Sequence, residues 1–409
     1  MTTTADATPT GTAPADATEP AAAPPAIDVS PGLNPWVFRG LVVAFAVVVF
    51  AWPEVLGDPT RTRQWAEYLC YAMVAIGIDI AWGYGGMLVL GQGVFFGLGA
   101  YAMGMYLTLE QVEPDQLPAF MALYSDFDTL PWLWAPFDSL AFTIAAAVIV
   151  PMIVAGLLGW LVFSRRIRGP YFALLTQATA LVFWLLLVGQ LQLTAGTNGL
   201  TNFTTVFGKS RYDPETNTFL YTLAGIGLIA ALLLGRQVVR SRFGRLLMAT
   251  RDGEDRVRFL GYDPARIKTV GFVIAAGMAG AAGALAAPIL GIVAPNQFAV
   301  VPSILMITWV AIGGRGTLYG AILGALLVGR AETSFSENRP DDWLYLQGFL
   351  FVVVIAFAPG GVLGLLRDGR DLVWRRVTGR RADGPPPDEL QAVDDGVPDT
   401  LVVPAEVRT

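Results

Sequence analysis

Few residues in this chain are equipped to do chemistry. It has no histidine and a single cysteine, Cys70. That excludes Ser-His-Asp and Cys-His catalysis, His-ligated metal sites, zinc fingers and disulfides within the chain. No catalytic residue and no metal ligand is assigned. What remains is a scatter of neutral polar residues inside apolar stretches: Gln92, Thr176, Gln177, Gln190, Thr194, Asn198 and Thr308. Hydroxyl and amide groups hydrogen-bond an uncharged polar solute without holding it tightly. The same groups also bond one apolar helix to another. Both readings stay open at each position. Gln92, Thr176, Gln177 and Asn198 are the candidates for lining a solute path.

The most informative stretch is polar. Residues 236–268 read RQVVRSRFGRLLMATRDGEDRVRFLGYDPARIK. Asp252 is suited to cap a helix N-terminus, and Glu254 and Asp255 favour its first turn. Val257 and Leu260 then share one face, and Gly261 ends the helix. Asp263 followed by Pro264 starts the next helix, with proline where its missing N–H is no loss. The pattern predicts a short helix between two long ones, apolar on one side and charged on the other. One reading is a basic loop beside a membrane. The sharper one is a docking helix, because Val257, Phe259 and Leu260 have no core of their own and a partner would supply one.

The elements around these residues are apolar. Hydrophobic residues make up 54% of the 409, charged residues only 15%, and mean hydropathy is +0.54. Soluble domains carry about 25% charged residues. Ten apolar segments are visible, at 40–56, 66–83, 87–107, 139–163, 171–190, 219–235, 270–292, 301–313, 318–330 and 343–360. They predict an all-α polytopic membrane protein with about ten transmembrane helices. The eighth and ninth are short and meet at Gly314-Arg315-Gly316-Thr317, so either could be a re-entrant half-helix. With the N-terminus inside, 21 of the 27 Lys and Arg fall on the cytoplasmic side. That sets an N-in, C-in topology, with Arg61 and Arg63 as the weakest fit. Asp79 is the one clear charge at membrane depth, near a cytoplasmic helix end where an arginine would pair with it. So little charge argues against a proton- or sodium-driven carrier.

Residues 1–35 and 369–409 are expected to lie outside the fold, as a disordered N-terminal tail and a basic juxtamembrane segment followed by a disordered tail. The membrane domain is then 36–368, with the polar loop at 236–268. The net charge of −6 gives no global basis for nucleic-acid binding. Gly93/Gly97, Gly320/Gly324 and Gly277/Gly280/Gly283 are read as close helix packing. Gly208-Lys209-Ser210 is not a phosphate loop, since Phe203 stands where its first glycine is required.

Four stretches are familiar as a set: YAMVAIGIDIAWGYGGMLVLGQGVFFGLGAYAMGMYL at 71–107, RGPYFALLTQATALVFWLLL at 168–187 with NGLT at 198–201, SRFGRLLMATRDGEDRVRFLGYDPARIKTVGFVIAA at 241–276, and WVAIGGRGTLYGAILGA at 309–325. The chain resembles the permease subunits of ABC importers of the branched-chain amino acid type, over roughly 40–368. Within them it looks most like the second permease of the urea importers, on the phrases YFALLTQA and WVAIGGRGTL. The resemblance implies a type II ABC importer permease fold in the bacterial cytoplasmic membrane. It implies a second homologous permease, two cytoplasmic ATP-binding subunits and an extracytoplasmic solute-binding protein as partners. ATP would be bound by those partners, leaving this chain without a cofactor. It makes the 241–276 stretch the loop that sits on the ATPase, with Arg251, Asp252, Glu254, Val257, Leu260 and Gly261 as its coupling residues. Gln92 stands where the family leads one to expect a histidine, so no histidine role carries over.

The expected cargo is urea; the alternative is a branched-chain amino acid. A zwitterion favours fixed charge or helix ends near its site, and the apolar segments show little charge. A membrane-embedded enzyme would need clustered acidic, Ser/Lys or His residues at bilayer depth, and none is visible.

Overall fold

The computed structural model describes residues 35–337 apart from 114–115, 125–127 and 168, and also 342, 345–349, 352–353 and 360–364. Contacts divide the chain into Met1–Leu41 and Val42–Thr409. Of the first unit only the helical backbone from Pro35 is described. Both predicted tails otherwise lie outside the described residues.

The second unit is helical. α1 (Pro35–Leu56) runs into it and is followed by α2 (Pro59–Ile78), which continues as a π-helical segment at Asp79–Tyr84. Then come α3 (Gln92–Leu109), the short α4 (Ala119–Tyr124), α5 (Leu140–Ser164), α6 (Pro170–Gly189) and the single turn α7 (Leu191–Thr194). Three two-residue strands follow, β1 (Leu200–Thr201), β2 (Thr205–Val206) and β3 (Lys209–Ser210). The chain goes on with α8 (Pro214–Arg240), α9 (Arg242–Asp252), α10 (Glu254–Phe259), α11 (Pro264–Leu290), β4 (Ile292–Val293), α12 (Val300–Gly313) and α13 (Leu318–Ser336). Two starts share one local device. Asp58-Pro59 and Asp263-Pro264 each place a carboxylate on the N–H two residues on, at 2.9 and 3.0 Å, with proline first in the helix.

Helices stand at nine of the ten predicted segments; the tenth, 343–360, lies mostly outside the described residues. Five of the described helices are long and apolar enough to cross a membrane, or six with α12 and α13 taken as one span. That pair is bent by 118° at its glycine turn, as expected of a broken or re-entrant element. The third segment starts later than predicted. Residues 85–91 are not helical: Gly86 has φ +68, and Met87 N–H turns back onto the Ala81 carbonyl at 2.9 Å.

Lipid exposure sorts the helices. The apolar windows of α2 and α11 are 83% and 72% buried, against 28% for α5 and for α6. α2 and α11 are therefore the inner helices, and α11 packs on α3, α5 and α2. Its small residues allow this. A Cβ on Gly283 would overlap the Phe96 carbonyl of α3, and one on Gly280 the Ala147 carbonyl of α5. Ile149, Ile153, Leu157 and Trp160 of α5 and Leu174, Leu181 and Leu185 of α6 stay exposed, which suits a face toward hydrocarbon.

The outer end is tied by polar contacts. β1 pairs antiparallel with β4, and β2 with β3. The Glu110 carboxylate accepts the Phe207 and Gly208 N–H groups at 3.2 and 2.5 Å, so the glycine turn before Lys209 holds a carboxylate. Arg211 Nη2 donates to the Leu290 carbonyl at 2.8 Å and so caps the C-terminus of α11.

Candidate functional site

The polar loop folds into two helices. Ser241 caps α9 by accepting the Gly244 N–H at 3.2 Å, and Phe243, Leu246, Leu247 and Thr250 recur at helical spacing. That signature was present in the sequence, but the basic residues around it made the stretch look like a loop. α10 begins one residue later than predicted. Its N-cap is Gly253 with no side-chain bond. Asp252 instead closes α9 and pairs with Arg251 at 2.7 Å. Glu254 is mostly buried and meets Lys268 of α11 at 2.6 Å and Arg258 at 3.4 Å. The Lys268 pair pins α10 to α11, and the Arg258 pair lies within α10.

Val257 and Leu260 do not share a face. Val257 is 3% exposed and joins the core, whereas Phe259 is 91% and Leu260 76% exposed. The helix is only six residues long, and Leu260 follows it with ψ +4, out of helical register. Gly261 does end the element, at φ +86, a left-handed conformation that favours glycine. The outcome is an anchored stub that presents Phe259, Leu260 and Tyr262 to solvent on the side read as cytoplasmic.

Arg251 connects this stub to the interior. Its side chain is 18% exposed, lies across Gly86 and donates Nη1–H to the Gly83 carbonyl at 2.8 Å. Gly83 belongs to the π-helical end of α2, and such i→i+5 segments concentrate at functional sites. A Cβ there would overlap Asp79. Asp79 is fully buried and accepts the Gly316 N–H at 2.5 Å, in the turn between α12 and α13. The expected arginine partner is absent among the described residues. Arg315 instead sits 5.8 Å from the Trp82 ring centre.

The solute-path candidates do not converge. Gln92 and Thr176 are neighbours around the 85–91 break. Gln92 is fully buried, donates Nε2–H to the Ala275 carbonyl of α11 at 3.1 Å, and has no partner for Oε1. Thr176 Oγ1 donates to Ala173 at 2.8 Å and accepts the Leu90 N–H at 3.1 Å, so both its roles are used inside the fold. Gly93 N–H finds Ser303 Oγ of α12 at 3.1 Å. Gln177 is half-buried and Asn198 is exposed beyond the far end of α6. Thirteen residues of helix separate Thr176 from that end, about 20 Å.

Sequence reasoning missed two carboxylates. Glu67 lies within α2 and Glu332 within α13, each half-buried and within electrostatic reach of the other. Glu67 accepts the Tyr71 hydroxyl, and Tyr71 stacks on Trp309 at 4.6 Å. Both glutamates fell at the edges of the apolar segments, where charge is unremarkable in a linear reading.

Comparison with known proteins bears on this arrangement. The family model described as branched-chain amino acid transport system / permease component matches residues 66–357. The high-affinity branched-chain amino acid transport system permease protein LivM of Escherichia coli (strain K12) is 29% identical over 80% of this chain and 75% of its own length. LivM of Salmonella typhimurium is 28% identical over 83% and 78%. The permease protein LivH of Salmonella typhimurium is 26% identical over 72% of this chain and 91% of its own length. No solved structure gives a significant match.

Proposed function

Because the chain belongs to the branched-chain amino acid transport system permease family and is a multi-pass protein of the bacterial inner membrane, we propose that it is the membrane conduit of an ATP-driven importer whose cargo is a branched-chain amino acid. The ATPase-coupling part of this reading is carried by one observation: the anchored helix α10 and the residue after it present Phe259 and Leu260 to solvent, and none of the described residues covers them. ATP-binding subunits that receive this patch would move α10, and Arg251 would pass the motion to the α2 break and the α12–α13 turn. The permease itself binds no nucleotide in this scheme. The chain is similar to both LivM and LivH, two permease proteins named for one kind of transport system, which supports a second homologous permease as partner. A solute-binding protein would deliver cargo from outside.

The cargo reading departs from the urea expectation. LivM and LivH are named for branched-chain amino acid transport, not for urea. The argument for a neutral solute also loses ground, since Glu67 and Glu332 place ionisable carboxyl groups inside the helices. Urea keeps only the phrases YFALLTQA and WVAIGGRGTL in its favour. The deciding experiment is uptake of labelled leucine and labelled urea by cells with and without this chain, at micromolar solute. Loss of leucine uptake with urea unchanged is expected. Loss of urea uptake that excess leucine never competes would restore the urea reading.

A further inference from the structure

A cavity of about 540 Å³ opens where α5 and α10 end and α11 begins, lined among others by Trp160, Phe163, Ser164, Arg166, Arg258 and Arg266. Its two halves differ in chemistry. One wall is apolar and continues the lipid-facing strip of α5: Trp160 is 67% exposed, and Ile153 and Leu157 above it are exposed as well. Val270 of α11, 46% exposed, completes that wall. The other wall carries Arg166, Arg258 and Arg266 together with the carboxylate of Asp263, and lies on the side read as cytoplasmic. Arg266 is answered by Asp263 at 3.1 Å, and Arg258 by Glu254 and Asp255. Arg166 has no acidic partner among the described residues. It also sits at φ +59, a left-handed conformation at a helix end that favours glycine over arginine. The backbone conformation at this position therefore does not itself call for an arginine.

We propose that this cavity holds the headgroup of an anionic phospholipid, with its phosphate against Arg166 and the adjoining arginines and its acyl chains along Trp160 and Val270. Basic pockets between helices on the cytoplasmic side suit such headgroups, and tryptophan favours the level where headgroup meets hydrocarbon. A soluble phosphate would use the same guanidinium groups but gain nothing from the apolar wall, and that wall decides for the lipid. Neither the cargo nor the ATPase reading enters this inference.

The test is retention of lipid by the delipidated transporter complex, followed by native mass spectrometry. The probes are phosphatidylglycerol, phosphatidylcholine and inorganic phosphate at equal concentration. Phosphatidylglycerol should be retained in preference to phosphatidylcholine. Arg166→Gly should weaken its retention roughly fivefold, the contribution of one basic residue near a charged headgroup. This variant suits the backbone at φ +59, so its unfolding temperature without lipid should not fall. Arg166→Lys should keep most of the retention. Equal retention of the two lipids, or unchanged phosphatidylglycerol retention in Arg166→Gly, would overturn the proposal. Displacement of phosphatidylglycerol by equimolar inorganic phosphate would also overturn it, in favour of a soluble anion.

Discussion

Arg251 donates Nη1–H to the carbonyl oxygen of Gly83 at 2.8 Å, and so joins the cytoplasmic helix α9 to the end of α2. The bond is mostly buried and charge-assisted, so its removal costs about 1.5–3 kcal/mol. Arg251→Ala is expected to leave the complex assembled but to lower uptake per ATP hydrolysed by tenfold or more. The ratio is measured in proteoliposomes containing the whole transporter. An unchanged ratio would show that Arg251 is only a packing residue.

Asp79 and Gly316 form the next contact inward. Asp79→Asn keeps an oxygen for the Gly316 N–H, whereas Asp79→Ala leaves that buried N–H unpaired, at a cost of about 1–3 kcal/mol. The alanine variant should therefore unfold at lower temperature than the asparagine variant, and transport should follow the same order. Equal unfolding temperatures would remove this contact from the account.

The surface of α10 allows two opposite outcomes from neighbouring positions. Phe259 and Leu260 are exposed, so Leu260→Asp should leave membrane insertion and thermal stability within about 0.5 kcal/mol of wild type. It should nevertheless abolish transport and capture of the ATP-binding subunit. Val257→Asp buries a charge and should destabilise the loop itself. Normal uptake by the Leu260→Asp protein would sink the docking role of α10.

Packing around α11 sets a separate expectation. Gly283→Leu must displace the α3 backbone at Phe96, and overpacking of this kind costs about 1–3 kcal/mol or more. Gly189→Ala, which meets nothing within 4 Å, is the control. The comparison is made by thermal unfolding in detergent, and equal melting of the two would contradict the close approach of α3 and α11.

Thr176→Val distinguishes a structural from a cargo-contacting threonine. It removes the acceptor of the Leu90 N–H, so stability should fall by about 1–3 kcal/mol while the preference between leucine and its competitors stays constant. A changed preference at normal stability would return Thr176 to the solute path.

By itself the sequence determined where this protein lives and most of its helices, because an apolar run long enough to cross a bilayer leaves a helix as the natural way to satisfy its backbone. It also determined the start of α11 at Asp263-Pro264 and the stop at Gly261, since caps act within a few residues. Tertiary structure decided what depends on neighbours far along the chain. It turned Val257 inward and left Leu260 outside, because α11 lies on one side of a helix too short to have a face of its own. It gave Asp79 a backbone partner 237 residues away in place of an arginine. It brought Glu67 toward Glu332 and closed both bonds of Thr176, and neither arrangement has a period or spacing that a linear reading detects.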